Sequence, residues 1–369
     1  MSAASCEPQC AEAIASAKSN ARELKMSKAP SVARSWLSIG GAVVLLGGTM
    51  LVSLGMGKYS IPLKEIVLFV GQSIFGTHWL PEERMTLLQS ILIEIRLPRI
   101  LAAALIGSAL SASGSAYQAM FVNPLVSPSL LGVLAGASFG AALGIVYLKT
   151  WYAVQIATFL GGLLAVMISL GIARIYRVDT TIMLVLGGII SGALFSSLLS
   201  LVKYVSDPYN QLPTIVNWLM GSLTLTDRTE VLHVSIPILI GLGILTLLSR
   251  HLNVLSMGDE EARALGVNVQ AIRLVVILSA TIISSLTVVV AGTISWVGLI
   301  VPHFTRMVTG PDNPRLMPTV ILFGATYLIV VDDVSRMMFT FEIPIGIVTA
   351  LLGIPCFALV LRNARKGWS

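Results

Sequence analysis

Charge is scarce in this chain. Asp, Glu, Lys and Arg make up 11% of its 369 residues, and from Ile100 to Leu148 there are none, nor any histidine. A soluble domain of average composition is about one-quarter charged, so an ordinary soluble enzyme or scaffold is excluded. Cysteine is scarcer still, with only Cys6, Cys10 and Cys356. That excludes a disulfide framework and a paired CxxC metal site. Cys6 and Cys10 read as reduced thiols in a polar tail, and no metal centre is expected. Catalytic signatures are missing as well: no G-x-x-x-x-G-K-[ST], no H-E-x-x-H and no G-x-S-x-G. The chain is therefore not expected to be an enzyme or to hold a cofactor. Its net charge of +6 comes from basic residues scattered in short connections, not from a stripe interleaved with aromatics. Nucleic acid is not an expected partner.

What is present is apolar length. The chain is 55% hydrophobic with a mean hydropathy of +0.87. A helix crosses a bilayer in roughly 20 apolar residues. Ten such segments can be drawn, at 36–56, 100–120, 129–148, 153–173, 182–203, 233–249, 273–291, 293–308, 317–331 and 344–361. The fold class is all-α and polytopic, with about ten transmembrane helices. The uncharged run after Ile100 holds two crossings, turned at Asn123-Pro124 and Ser127-Pro128. In the second, Gly132, Gly136, Gly140 and Gly144 recur every fourth residue, which predicts a bare helix face for close packing.

Placing the N-terminus inside puts fifteen of the 24 Lys and Arg residues on the cytosolic side and nine outside, as the positive-inside rule requires. Both termini then lie in the cytoplasm. Residues 1–34 are Ala-, Ser- and Lys-rich and lack a cleavage site, so they read as a basic, disordered cytosolic tail, with 35–369 as the membrane domain. Ile95-Arg96-Leu97 and Ile272-Arg273-Leu274 each open a Ser/Ala-rich apolar run, and the two runs cross in opposite directions. Two inverted five-helix halves would look like this.

Two regions stand out for function. The inner connection 250–272 contains Met257, Gly258, Asp259, Glu260, Glu261, Ala262, Arg263, Ala264, Leu265, Gly266 and Val267. Asp259 suits an N-cap, the two glutamates a first turn and Gly266 a C′ position. A two-turn helix is too short to stand alone, so it docks either on its own spans or on a cytosolic partner. Outside, Arg96 and Arg99 flank Pro98, and Arg336 follows Asp332 by one turn. Arginine forks suit carboxylates. Their partners are either Glu94, Asp332, Asp333 and Glu342 within the chain or an acidic docking partner. A proton or ion relay in an ion-coupled secondary carrier is a third reading of those acids.

Ile95-Arg-Leu-Pro-Arg-Ile-Leu101, followed by Gly107, Gly114, Gln118 and Asn123-Pro124-Leu125, resembles the second and third spans of FecCD-type permeases. Trp218-Leu-Met-Gly-Ser-Leu223, the loop Gly258 to Val267, Gly298-Leu-Ile-Val-Pro-His303 with Arg306, Asp332 with Arg336, and Glu342-Ile-Pro-Ile-Gly346 follow in family order. These permeases are the membrane subunits of type II bacterial ABC importers for iron-siderophores, haem and cobalamin, and some similar permeases carry molybdate or tungstate. The resemblance implies a homodimer of ten-helix subunits in the bacterial inner membrane, with a pathway along the dimer axis. It implies that the fifth span lines that pathway, where Ser191, Gly192, Ser196, Ser197 and Ser200 suit a wet, tolerant passage. It further implies that residues 257–267 couple to two copies of a cytosolic ATPase, which hold ATP and Mg. Arg96, Arg99 and Arg336 would receive glutamates of a periplasmic binding protein. Cargo would pass from periplasm to cytoplasm by alternating access, with an iron chelate first in line and an oxyanion as the alternative.

Overall fold

The computed structural model describes residues 32–76, 79–176, 180–224 and 226–364. The tail expected over 1–34 lies outside them up to residue 31, and helix already runs from Val32. Among the described residues the regular structure is entirely helical. In chain order the helices are α1 (Val32–Gly55), α2 (Leu63–Phe75), α3 (Glu82–Gln89), α4 (Leu97–Met120), α5 (Val133–Leu143), α6 (Trp151–Tyr176), α7 (Thr180–Val205), α8 (Gln211–Met220), α9 (Arg228–Leu247), α10 (Ser249–Leu255), α11 (Asp259–Ala264), α12 (Val269–Ala291), α13 (Val297–Thr309), α14 (Asn313–Met337) and α15 (Ile345–Ala364). A wide-turn stretch, Ser90–Arg96, fuses α3 to α4, and a second, Gly144–Leu148, extends α5.

Each of the ten apolar segments falls on a helix. Among the described residues six helices, α1, α6, α7, α9, α12 and α14, are long and apolar enough to cross a membrane. α4 is long enough but carries Ser108, Ser111, Ser113, Ser115 and Gln118. Its place in the fold accounts for that polarity: 20 of its 24 residues are buried, so protein rather than lipid surrounds it. Ser113 donates to the Ala280 carbonyl at 3.4 Å and Tyr117 lies 3.4 Å from the Thr281 hydroxyl. Met120, at the end of α4, shares a buried cluster with Val269, Val276 and Ile277 in the first half of α12, while Ile100, Ala102 and Ala103 at its start share another with Ala291 at the end of α12, so the two helices that open with Ile-Arg-Leu run antiparallel. α4 also crosses α14 antiparallel, through Gly107 against Gly324 and Ser108 against the Ile321 carbonyl at 3.0 Å.

The glycine ladder packs as a seam at three of its four positions. A Cβ at Gly140 would lie 2.0 Å from the Ala157 carbonyl oxygen, and one at Gly136 2.3 Å from that of Gly161. Gly144 meets Val154 in the same way, so α5 lies backbone-to-backbone on α6. Gly132 departs from the expected face. It precedes the helix with φ +83, closing the 3-10 turn Pro128–Leu131 and redirecting the chain into α5. A period of four is shared by a helical face and by a glycine that happens to stand in the turn before it, and only the backbone dihedral separates them.

Candidate functional site

Arg96, Arg99 and Arg336 are gathered where α4 begins and α14 ends, and they are committed inside the protein. Arg99 forks onto Asp332, with Nε 3.1 Å from both carboxylate oxygens and Nη2 3.0 Å from Oδ1. Its remaining arm, Nη1, donates to Glu342 Oε2 at 3.0 Å. Arg336 donates to Asp333 and, at 3.1 Å, to the Ser53 hydroxyl of α1. Its Nε lies 3.2 Å from Asp332 Oδ2, near enough to pair but without hydrogen-bond geometry. Arg96 donates to the Leu54 carbonyl at 2.5 Å and to the Tyr59 carbonyl. Two of the guanidiniums, Arg99 and Arg336, thus hold the three carboxylates while the third, Arg96, holds backbone carbonyls, and each arginine is under a tenth exposed. Glu94, the acid nearest Arg96 in sequence, is exposed and takes no part. Sequence reasoning missed Ser53 and the 54–59 carbonyls, because a serine and bare backbone carry no signal at that distance along the chain.

Glu342 sits in the connection 338–344 and also accepts from the Thr224 hydroxyl at 2.8 Å. Burial works to raise its carboxyl. The Arg99 guanidinium, the Thr224 hydroxyl and Lys58 outweigh that and hold it below the ordinary carboxylate range. Thr224 belongs to the connection after Trp218-Leu-Met-Gly, which meets two others. Ser222 N–H bonds the Ala291 carbonyl at 3.0 Å and Ile345 N–H bonds the Gly221 carbonyl at 3.0 Å. A Cβ at Gly292 would lie 2.3 Å from the Trp218 carbonyl oxygen, and one at Gly346 2.4 Å from that of Met220. Motifs far apart in sequence therefore form one knot beside the arginine cluster. A cavity of about 420 Å³ opens there, lined among others by Trp151, Asn217, Trp218, Ser222, Thr224 and Glu342.

On α7 the five small residues do not share one environment. Ser196, Ser197 and Ser200 are exposed and Gly192 is half-buried. Ser197 and Ser200 donate to the Ala193 and Ser196 carbonyls of their own helix, each at 2.9 Å. Ser191 is fully buried, bonds the Ala165 carbonyl of α6 at 2.7 Å and contacts the Gly132 turn. It packs the helix instead of lining a surface, since it lies about 140° around the helix from Ser196 and about 180° from Ser200.

The connection 250–272 forms the expected short helix, α11, with one correction at its start. Gly258, at φ +117, occupies the N-cap position. Asp259 is the first helical residue, and its carboxylate accepts from Arg273 of α12 at 2.7 Å. A buried guanidinium outcompetes free helix N–H groups for that carboxylate. The far end is as expected: Gly266, at φ +80, bonds the Arg263 carbonyl at 2.9 Å, and Val267 bonds that of Ala262 at 3.1 Å. This paired closure is a Schellman turn. α11 is held by Ala262, which is fully buried in the core cluster. Met257 and Leu265 stand more than 60% exposed on either side.

The FecCD transport family profile matches residues 44–363. The molybdate import system permease protein of Haemophilus influenzae is 38% identical over 328 residues, 89% of this chain and 96% of that one. The hemin transport system permease protein of Yersinia pestis is 36% identical, over 75% of this chain and 84% of its own. The cobalamin import system permease protein of Halobacterium salinarum is 33% identical, over 92% and 98%. A solved inward-facing structure of a metal-chelate type ABC transporter superposes with a TM-score of 0.77 at 37% identity, covering 88% of this chain and 98% of that one. With the profile spanning nearly all of the helical region and relatives above 30% identity along almost their full length, this chain belongs to the FecCD transport family of ABC importer permeases.

Proposed function

We propose that this chain is the membrane subunit of a type II importer that carries a metal chelate, an iron-siderophore, haem or a cobalamin-like complex, from periplasm to cytoplasm by alternating access. Two copies form the conduit, each with ten spans and both termini in the cytoplasm of a bacterial inner membrane. Two copies of a cytosolic ATPase, charged with ATP and Mg, drive it.

The observation that carries this reading is α11. A two-turn helix is pinned by Ala262 and by Asp259 on Arg273, yet it leaves Met257 and Leu265 bare. Bare apolar residues on a pinned inner helix suit a partner, and a chain with no phosphate loop of its own needs one. Motion of that partner reaches α12 directly through the Asp259–Arg273 pair. Membership of this family removes the ion-coupled carrier from consideration.

Delivery falls to a periplasmic binding protein at the outer face, around Arg96, Arg99 and Arg336. Because these groups already hold carboxylates, an incoming acid engages them by displacing the most exposed one, Glu342, from Arg99. The exposed face of α7 with Ser196, Ser197 and Ser200 lines the passage beyond. An oxyanion cargo is the second reading, favoured by the molybdate permease among the relatives.

The deciding experiment reconstitutes the permease with its ATPase and binding protein in vesicles. Labelled iron is offered as a ferric hydroxamate or as haem, and molybdate in parallel. ATP-dependent chelate uptake without molybdate uptake supports the first reading. Molybdate uptake alone reverses the order, and ATP-independent uptake of either cargo refutes both.

A further inference from the structure

The outer helix α2 has an apolar stripe that the transport scheme does not use. Leu63, Val67, Val70 and Ile74 are each at least 46% exposed, and Phe75 follows at 75%. Their spacing of four, three and four residues places the first four within about 60° of arc at 100° per residue. The adjoining face of α2 is already satisfied. Ile66 and Phe69 are buried against Leu88 and Leu92, on α3 and the wide turn after it. A helix covered on one face and apolar on the other needs a second apolar surrounding.

Its setting narrows what that surrounding is. α1 directly precedes it and exposes Val43, Val44, Leu45, Leu51 and Val52. In a membrane permease with α1 as a span, that belt is hydrocarbon-facing. Leu54, in the last turn of α1, packs into the same cluster as Ile61 and Ile66 of the α2 region. The buried face of α2 is therefore fastened to the end of α1, and its exposed stripe follows the α1 belt along the chain. Aromatic and charged groups rim it as they do at a bilayer boundary. Trp79, 53% exposed, stacks over the bare backbone of Gly71, and its backbone N–H donates to Gln72 Oε1 at 3.1 Å. On the polar side Arg84 pairs with Glu65 at 2.5 Å and covers the Tyr59 ring at 5.6 Å. Exposed Lys64 stands beside Leu63, placed for an anionic headgroup.

We infer that α2 is an interfacial helix, lying in the outer leaflet at the headgroup–acyl boundary with Leu63, Val67, Val70 and Ile74 in lipid. Its consequence for the site is direct. Arg96 grips the Leu54 and Tyr59 carbonyls in the connection between α1 and α2. A lipid-anchored α2 thus sets the height of the outer end of α4, where the arginine cluster sits.

The test uses the full chain in vesicles of phosphatidylcholine and phosphatidylglycerol. In a Cys6→Ser, Cys10→Ser, Cys356→Ser background, a fluorophore is attached at Val67→Cys, at Ile74→Cys or at Glu82→Cys, an exposed acid at the start of α3. Each variant is first matched to the wild type by size exclusion. The labels at 67 and 74 are expected to be quenched several-fold more by nitroxide lipid than the label at 82, and several-fold less by aqueous iodide. Iodide quenching equal to that at 82 overturns the inference. Protection from both quenchers, with Val67→Cys cross-linking between two copies, overturns it in favour of a protein contact. Transport activity enters neither readout, so the result stands apart from the question of cargo.

Discussion

Replacing Arg99 by alanine separates a structural from a docking role for the outer arginines. The substitution removes three hydrogen bonds from Asp332 and one from Glu342. Glu342 is partly exposed and can rehydrate, so its share is small. Asp332 is 1% exposed and keeps only the poorly aligned Nε of Arg336. Stranding one partner of a buried ion pair costs about 3–5 kcal/mol, which is at least a hundredfold in the unfolding equilibrium at about 1.4 kcal/mol per decade. The assay is SDS-driven unfolding of the detergent-solubilised permease with no partner present. Arg99→Ala and Asp332→Ala should each unfold far earlier than the wild type. Combined, they should lose less than the sum, because no lone carboxylate is then left facing a missing guanidinium. Wild-type stability of Arg99→Ala, or a coupling below about 0.5 kcal/mol in the double-mutant cycle, refutes the reasoning. It would return Arg99 to a purely external role.

Other outcomes follow from the same geometry. A Cβ at Gly114 would lie 1.8 Å from the Gly298 carbonyl oxygen, so Gly114→Ala must part α4 from α13; a loss of about 1–3 kcal/mol should appear as reduced monodisperse yield, while Gly243→Ala, with open space around it, should leave yield unchanged. Leu265→Ser and Met257→Ser should leave unfolding as it is and lower ATP-driven uptake in reconstituted vesicles. Gly266→Val, forced to φ +80, should cost about 1–2 kcal/mol and uncouple ATP hydrolysis from uptake. The Glu342 carboxyl is held below its ordinary value of 4.5, so its contribution is complete above that value and is lost as pH falls through the lower folded one. The gap in unfolding midpoint between wild type and Glu342→Gln should therefore close on acidification from pH ~6 to pH ~3; a gap that widens there would contradict the sign.

The helices were legible because hydropathy and length are local. Every apolar run became a helix, and the Gly136–Gly140–Gly144 seam was visible as a period. The start of α11 differs from the sequence expectation because Asp259 is equally good as an N-cap and as a partner for a guanidinium, and the deciding Arg273 is 14 residues away. Ser191 was grouped with Ser196 and Ser200 because small residues look alike in sequence, whereas helical phase puts it against α6. The arginine cluster was readable as an alternative but not as a result. The choice between inner and outer carboxylates depends on whether α4 and α14 bring Asp332 within 3.1 Å of Arg99.

The sequence by itself determined a helical membrane bundle, since apolar length needs no third dimension. Tertiary structure alone decided which charges are spoken for. Ser53, Arg99, Thr224, Asp332 and Glu342 come from four separate stretches of chain, and a hydrogen bond acts only over about 3 Å. Only the packing of α1, α4 and α14 with the loop knot could bring those groups within that reach.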